Sequence, residues 1–89
     1  MRIIASQYKI RHNSYTSAVT EMLKIATERG FTVDEDDIFQ QITTGSGKPK
    51  DGETKRYHLG LYKNGKKSKK VLHAQIYRDG TFELNAYIN

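Results

Sequence analysis

Apolar residues recur at helical spacing in the first half of the chain and at alternate positions in the second half. Between residues 14 and 29 they fall three or four positions apart and form one stripe: Tyr15, Ala18, Val19, Met22, Leu23 and Ala26. This spacing predicts an amphipathic helix over residues 14–29. Asn13 or Ser14 can cap its first turn, and Gly30 is placed to end it.

A second, short helix is predicted over residues 35–42, with Asp34 as its N-cap. Its first turn carries three carboxylates, at Glu35, Asp36 and Asp37. Its apolar face is expected to hold Ile38, Phe39 and Ile42. The helix dipole favours carboxylates in a first turn, and the ligand spacing of a calcium-binding loop is absent. The acidic cluster is therefore interpreted as a helix start and not as a metal site.

Alternating apolar residues predict strands at both ends of the chain. An N-terminal strand is expected within residues 1–12. Three further strands are expected at residues 54–63, 71–78 and 81–88, separated by Asn-Gly and Asp-Gly turn signals. The predicted fold class is α+β, with the N-terminal strand and two helices packed on a three-stranded antiparallel meander. One domain is expected to span residues 1–89.

The second hairpin is predicted to turn through a three-residue loop at residues 78–80. This loop would set Ile76 opposite Phe82. A register that differs by one residue would turn the apolar side chains to the wrong face.

The first hairpin admits two arrangements that keep its apolar faces together. One is a tight turn at residues 64–65, and the other is a wider loop that ends at Lys70. Pairing Leu61 with Leu72 favours the wider loop. Residues 64–69 would then form a projecting tip.

Charge is concentrated in one part of the chain. The protein has 89 residues, a net charge of +5 and no cysteine. Residues 48–70 hold nine of the fifteen basic residues and only two acidic ones, so this segment carries +7. No apolar run is long enough to cross a bilayer, and no signal-peptide pattern is present. These features favour a cytoplasmic monomer or homodimer without a metal or other cofactor.

The sheet face turned away from the helices is expected to be polar and aromatic. Alternation assigns to it Arg56, His58, Gly60, Tyr62, Val71, His73, Gln75, Tyr77, Glu83, Asn85 and Tyr87. Proteins that bind single strands combine basic grooves with aromatic side chains on which bases stack. The sequence therefore predicts a non-enzymatic nucleic-acid-binding protein that prefers RNA or single strands to duplex DNA. Specificity is expected to be weak, because lysine suits phosphate better than base edges.

The predicted contacts divide into three groups. Phosphates at the hairpin tip would be contacted by Lys63, Lys66, Lys67, Lys69 and Lys70. The track would be extended by Lys48, Lys50, Lys55 and Arg56, beside a glycine-rich loop at residues 43–54 whose amides could approach a phosphate. The stacking candidates are Tyr62, His73 and Tyr77. An ordinary structural explanation competes with this one, because lysines also protect sheet edges and tyrosine favours strands.

Two other function classes are compatible with the sequence. The first is a small inhibitor or regulator, of the host-takeover or anti-defence type, that binds a protein or nucleoprotein partner, with residues 34–37 as a second surface. The second is a ribonuclease in which His58 and His73, as diagonal neighbours, would transfer protons beside Arg56. The order of strand, helices and three strands resembles that of the RelE-type ribosome-dependent ribonucleases of toxin–antitoxin modules. That resemblance is confined to the order of elements, and it implies RNA cleavage.

Overall fold

Five antiparallel strands form a single sheet in the computed structural model, which describes residues 8–45 and 47–89. The strands are β1 (Tyr8–His12), β2 (Thr32–Val33), β3 (Thr54–Lys63), β4 (Lys66–Asp79) and β5 (Thr81–Ile88). Their order in the sheet is β1-β5-β4-β3-β2. The predicted mixed fold is confirmed, but the meander is only the centre of a larger sheet. Residues 1–7 of the predicted N-terminal strand lie outside the described residues.

The predicted first helix is confirmed as α1 (Tyr15–Glu28). The Ser14 hydroxyl accepts a hydrogen bond from the Ser17 amide at 3.0 Å and so caps the first turn. Gly30 follows the last turn with a φ of +84°, a conformation that costs glycine little. The apolar stripe faces the sheet, and its fully buried members are Ala18, Met22 and Ala26. Ile25, which the predicted stripe did not include, is buried with them.

The second helix is confirmed only for one turn, as α2 (Glu35–Ile38). A π-helical turn at Phe39–Thr43 replaces its predicted second half. This wider turn buries Ile42 and leaves Phe39 62% exposed, so the two do not share a face as predicted. Asp34 occupies the N-cap position, but its side chain makes no capping hydrogen bond.

The α2 segment covers the free edge of β3. The Gln41 side chain donates to the His58 carbonyl oxygen at 2.8 Å and accepts from the His58 amide at 2.9 Å. An Asp37 carboxylate oxygen accepts from the Gly60 amide at 3.3 Å. Because β2 pairs only with Leu61 and Tyr62, these side chains extend the cover along the edge.

The predicted loop between β4 and β5 is wrong by two residues in register. Ile76 lies opposite Leu84, and Phe82 lies opposite Arg78. The shift keeps every apolar side chain on its predicted face. The turn is shorter than predicted, because Asp79 pairs with Thr81 and only Gly80, with a φ of +75°, lies between them. The Gly80 amide donates to the Asp51 carboxylate at 3.1 Å.

The lysine-rich hairpin has the tight turn and not the wider loop. Asn64 and Gly65 have φ values of +54° and +78°, as a two-residue hairpin turn requires. A bulge in β4 then places residues 68–70 opposite the single residue Leu61. The Ser68 hydroxyl donates to the Leu61 carbonyl oxygen at 2.7 Å, which stabilises the bulge. The predicted projecting tip is therefore absent, because most of its residues belong to β4.

The core lies between the sheet and the helices. Its largest buried side chains include Tyr57, Met22, Ile25, Leu59, Leu61, Leu72, Ile76 and Leu84. The Tyr57 hydroxyl donates to the Gly47 carbonyl oxygen at 2.5 Å, which fastens the loop before β3 to the sheet. Burial raises the pKa of Tyr57. Among the described residues no helix has the length and apolar character needed to cross a membrane.

Candidate nucleic-acid interface

Three aromatic rings lie side by side on the outer face of the sheet, the face turned away from α1. His58 is directly opposite His73, and His73 is directly opposite Tyr87. The imidazole centroids of the two histidines are 5.2 Å apart in an edge-to-face arrangement. The His73 and Tyr87 rings are stacked with centroids 4.9 Å apart. We call this set the ring row.

The predicted diagonal relation between the two histidines is wrong. It assumed that Leu61 pairs with Leu72, whereas Leu72 pairs with Leu59. The tight turn and the bulge together move β4 by two residues against β3. That shift brings His58 and His73 into contact.

A row of polar side chains runs next to the ring row. It consists of Arg56, Gln75 and Asn85, one from each of β3, β4 and β5. The Arg56 Nε donates to the Gln75 Oε1 at 3.4 Å. The two rows border a depression of about 450 Å³, lined by Arg56, His58, His73, Ala74, Gln75, Asn85, Ala86 and Tyr87. We call it the outer depression.

The electrostatics of the outer depression favour an electron-rich ligand. No described carboxylate lies within ion-pair distance of Arg56, whereas Arg11 on the same face is 3.5 Å from Glu83. Burial, together with the nearby His58, lowers the pKa of His73. The lowered pKa favours the neutral form of the His73 ring, one face of which is already stacked on Tyr87. Arg56 provides the positive charge.

The five lysines of the hairpin at residues 63–70 do not share one surface. Lys67 extends over the outer face, with its Nζ 5.8 Å from the centroid of the Tyr62 ring. Lys63 lies on the helix side, with its Nζ 5.2 Å from the Phe31 ring. None of the five forms an ion pair with a described carboxylate. The positive charges of the hairpin are therefore distributed over both sides of the sheet.

The remaining predicted lysines lie at the opposite end of β3, a ten-residue strand that spans roughly 30 Å. Lys48 lies on the helix side, with its Nζ 5.8 Å from the Phe82 ring. The Lys55 ammonium is 3.6 Å from Glu53. The Lys50 amide donates to that same carboxylate at 2.8 Å and, with Lys55, lowers the pKa of Glu53. The predicted track is therefore divided, and within it only Arg56 reaches the outer depression.

The glycine-rich loop offers little for a phosphate. The Gly47 amide donates to the Thr44 carbonyl oxygen at 2.9 Å, and its carbonyl oxygen accepts from Tyr57. Gly47 is also buried. These bonds fix the loop to the core side of the sheet.

The three stacking candidates lie on the outer face but not together. His73 belongs to the ring row, Tyr62 lies beside Lys67, and Tyr77 lies between Thr54 and Glu83. Tyr87 is 42% exposed and stacks on His73, yet it was not among the predicted contacts. Alternation had placed it on the correct face. Only the register of β4 and β5 shows that it joins His73.

An acidic surface adjoins the lysine-rich hairpin. A second depression, of about 490 Å³, is lined by Thr32, Val33, Asp34, Glu35, Asp36, Tyr62 and Gly65. The carboxylates of the α2 start therefore lie close to the hairpin turn. Their negative charges oppose the lysine charges at that edge of the sheet.

No protein family matches the chain, and no curated protein or solved structure matches it at a significant level. In the part of the chain that the structure describes, no three histidine, aspartate or glutamate side chains are grouped as a metal site requires. Function must therefore be inferred from the outer face itself.

Proposed function

We propose that the protein binds single-stranded RNA on the outer face of its sheet. The single observation that supports this proposal most is the contiguous ring row beside the polar row, at an open depression. The depression contains Arg56, which has no acidic partner among the described residues. Bases would stack on the exposed rings, and phosphates would contact Lys67 and neighbouring hairpin lysines. A duplex suits this face less well, because its bases are already stacked and paired.

Tyr87→Ala tests the stacking contact. A fluorescein-labelled RNA of about twelve nucleotides, titrated with protein and followed by anisotropy, should bind the variant about tenfold more weakly, since one base stack contributes about 1–3 kcal/mol. The matched control is Phe39→Ala, which removes another exposed aromatic ring, carried by the π-helical turn and not by a strand of the sheet. Equal losses in both variants would contradict the proposed site, and so would unchanged binding by the Tyr87 variant.

Two charge-reversal variants test the same proposal independently. Lys67→Glu reverses a charge on the outer face, whereas Lys24→Glu reverses one on α1, where Lys24 is paired with Glu28. The first change should reduce RNA affinity more strongly than the second. Running the same RNA on a denaturing gel after incubation would show whether His58 and His73 cleave it.

A protein partner is the second candidate, and exposed Phe39 favours it. Large aromatic side chains are enriched at the centres of protein interfaces. Phe39 follows Glu35 by one helical turn, which would suit a partner with an apolar pocket and a basic rim. A tagged protein and its Phe39→Ala variant, used for capture from nuclease-treated lysate, test this. A partner lost only with the variant supports protein binding, whereas RNA affinity lost only in Tyr87→Ala in the anisotropy titration supports the first proposal.

A further inference from the structure

The guanidinium of Arg56 is held by a neighbour while its terminal amino groups stay available. Arg56 is exposed on the outer face, and its Nε donates to the Gln75 Oε1 at 3.4 Å. This long hydrogen bond favours a guanidinium orientation at the wall of the outer depression and leaves the two terminal amino groups available. A guanidinium fixed in this way presents parallel N–H groups that match a pair of acceptors on one ligand.

The acceptor pair could belong to a phosphate or to a base. A phosphate alone does not account for the surroundings, because the same depression is lined by the rings of His73 and Tyr87. Its volume of about 450 Å³ is also within the range of small-ligand sites. A flat aromatic ligand with two adjacent acceptors fits these features best. Guanine is the purine that presents such a pair, at O6 and N7.

We infer that the outer depression binds one guanine of the RNA strand, with Arg56 donating to O6 and N7. The inference rests on the proposed RNA binding and adds base specificity to it. Gln75 is the positioning residue, because its side chain accepts from the Arg56 Nε and so orients the two terminal amino groups of the guanidinium. Adenine fits less well, since its N6 amino group would face the donors of Arg56.

Three RNAs of about twelve nucleotides test the inference on the unaltered protein. Each is a uridine strand with a few isolated purines, which are guanosine, adenosine or 7-deazaguanosine. Isolated guanosines avoid four-stranded assemblies, and 7-deazaguanosine lacks only the N7 acceptor. The guanosine strand should bind about tenfold more tightly than the adenosine strand, because only guanosine can accept both hydrogen bonds from Arg56. The 7-deaza strand should lose most of that advantage.

Two variants locate the discrimination. Arg56→Lys keeps the positive charge but removes the paired N–H groups of the guanidinium, so this variant should bind all three strands with similar affinity. Gln75→Met removes the acceptor that orients Arg56 and should reduce the guanosine preference by several-fold. The control is Arg11→Lys on the same face, whose arginine contacts Glu83 and Thr81. It should leave the preference unchanged.

The outcomes separate this inference from the function on which it rests. Equal affinity for all three strands would overturn guanine recognition and assign Arg56 to phosphate, while RNA binding would stand. A guanosine preference that persists in Arg56→Lys would also overturn it. Absence of binding to every strand would overturn both. The preference and its loss in the 7-deaza strand and in Arg56→Lys are the results that support it.

Discussion

Gly47 shows how much one residue of the loop before β3 contributes to the fold. A Cβ at this position would lie 2.6 Å from the carbonyl oxygens of both Gln41 and Ile42. Its own carbonyl oxygen accepts the hydrogen bond of buried Tyr57. The sequence indicated only a glycine-rich loop here, because the close approach of Gly47 to the preceding π-helical turn leaves no pattern of residue types.

Gly47→Ala should therefore lower the free energy of unfolding by about 1–3 kcal/mol, because the backbone of the π-helical turn must move to admit the methyl group. Urea unfolding followed by circular dichroism measures the change. The matched control is Gly45→Ala in the same loop, where an added Cβ meets nothing within 4 Å. If both variants unfold at the same urea concentration, the close packing around Gly47 is not what restricts that position.

At the scale of elements, the cover of the β3 edge depends on one side chain of the π-helical turn. The Gln41 amide forms two hydrogen bonds with the backbone of His58, as a neighbouring strand would. Strand edges that stay uncovered are prone to pair with other chains. The sequence predicted an α-helix over residues 35–42, and that prediction did not identify Gln41 as the side chain that reaches β3.

Replacing Gln41 with alanine should expose the His58 amide. Two lost hydrogen bonds correspond to about 1–3 kcal/mol, so exchange of that amide with deuterium should accelerate by about tenfold or more. Amide exchange measured by nuclear magnetic resonance reports this position directly. Gln40→Ala is the matched control, because the Gln40 side chain is exposed to solvent. Unchanged protection in Gln41→Ala would show that other contacts hold the edge.

The strands also show where prediction from the sequence succeeds. Alternation assigned Leu59, Leu72 and Leu84 to the core face, and all three are buried there. Register failed at both hairpins, because a shift of two residues preserves alternation and leaves the apolar faces together. The bulge and the short turn that set the register are accompanied by side-chain bonds that the alternation does not encode, from Ser68 to Leu61 and from the Gly80 amide to Asp51.

At the scale of the whole molecule, the +7 segment is not one continuous basic surface. Its lysines lie at both ends of β3 and on both sides of the sheet, and the carboxylates of the α2 start stand beside the hairpin turn. A count of charges along the sequence could not reveal this division, since it depends on strand direction and on the faces of the sheet.

The division predicts a shallow salt dependence for RNA binding. If all nine basic groups of residues 48–70 contacted phosphates, the logarithm of affinity would fall with the logarithm of salt concentration at a slope near −6, at about −0.7 per contact. Two or three contacts from the outer face predict a slope of about −2. Anisotropy titrations between about 50 and 200 mM salt measure it. A slope near −6 would mean that the strand wraps both faces.

The bulge at residues 68–70 has a consequence for how this hairpin can change in length. Three residues of β4 stand where β3 has only Leu61, so β4 carries two more residues than continuous pairing needs. Because two is the repeat of a strand, their removal would return β4 to uninterrupted pairing and leave every core side chain inward. The hairpin can therefore gain or lose residues in pairs during evolution or engineering, and its cationic content can vary while the interior stays the same.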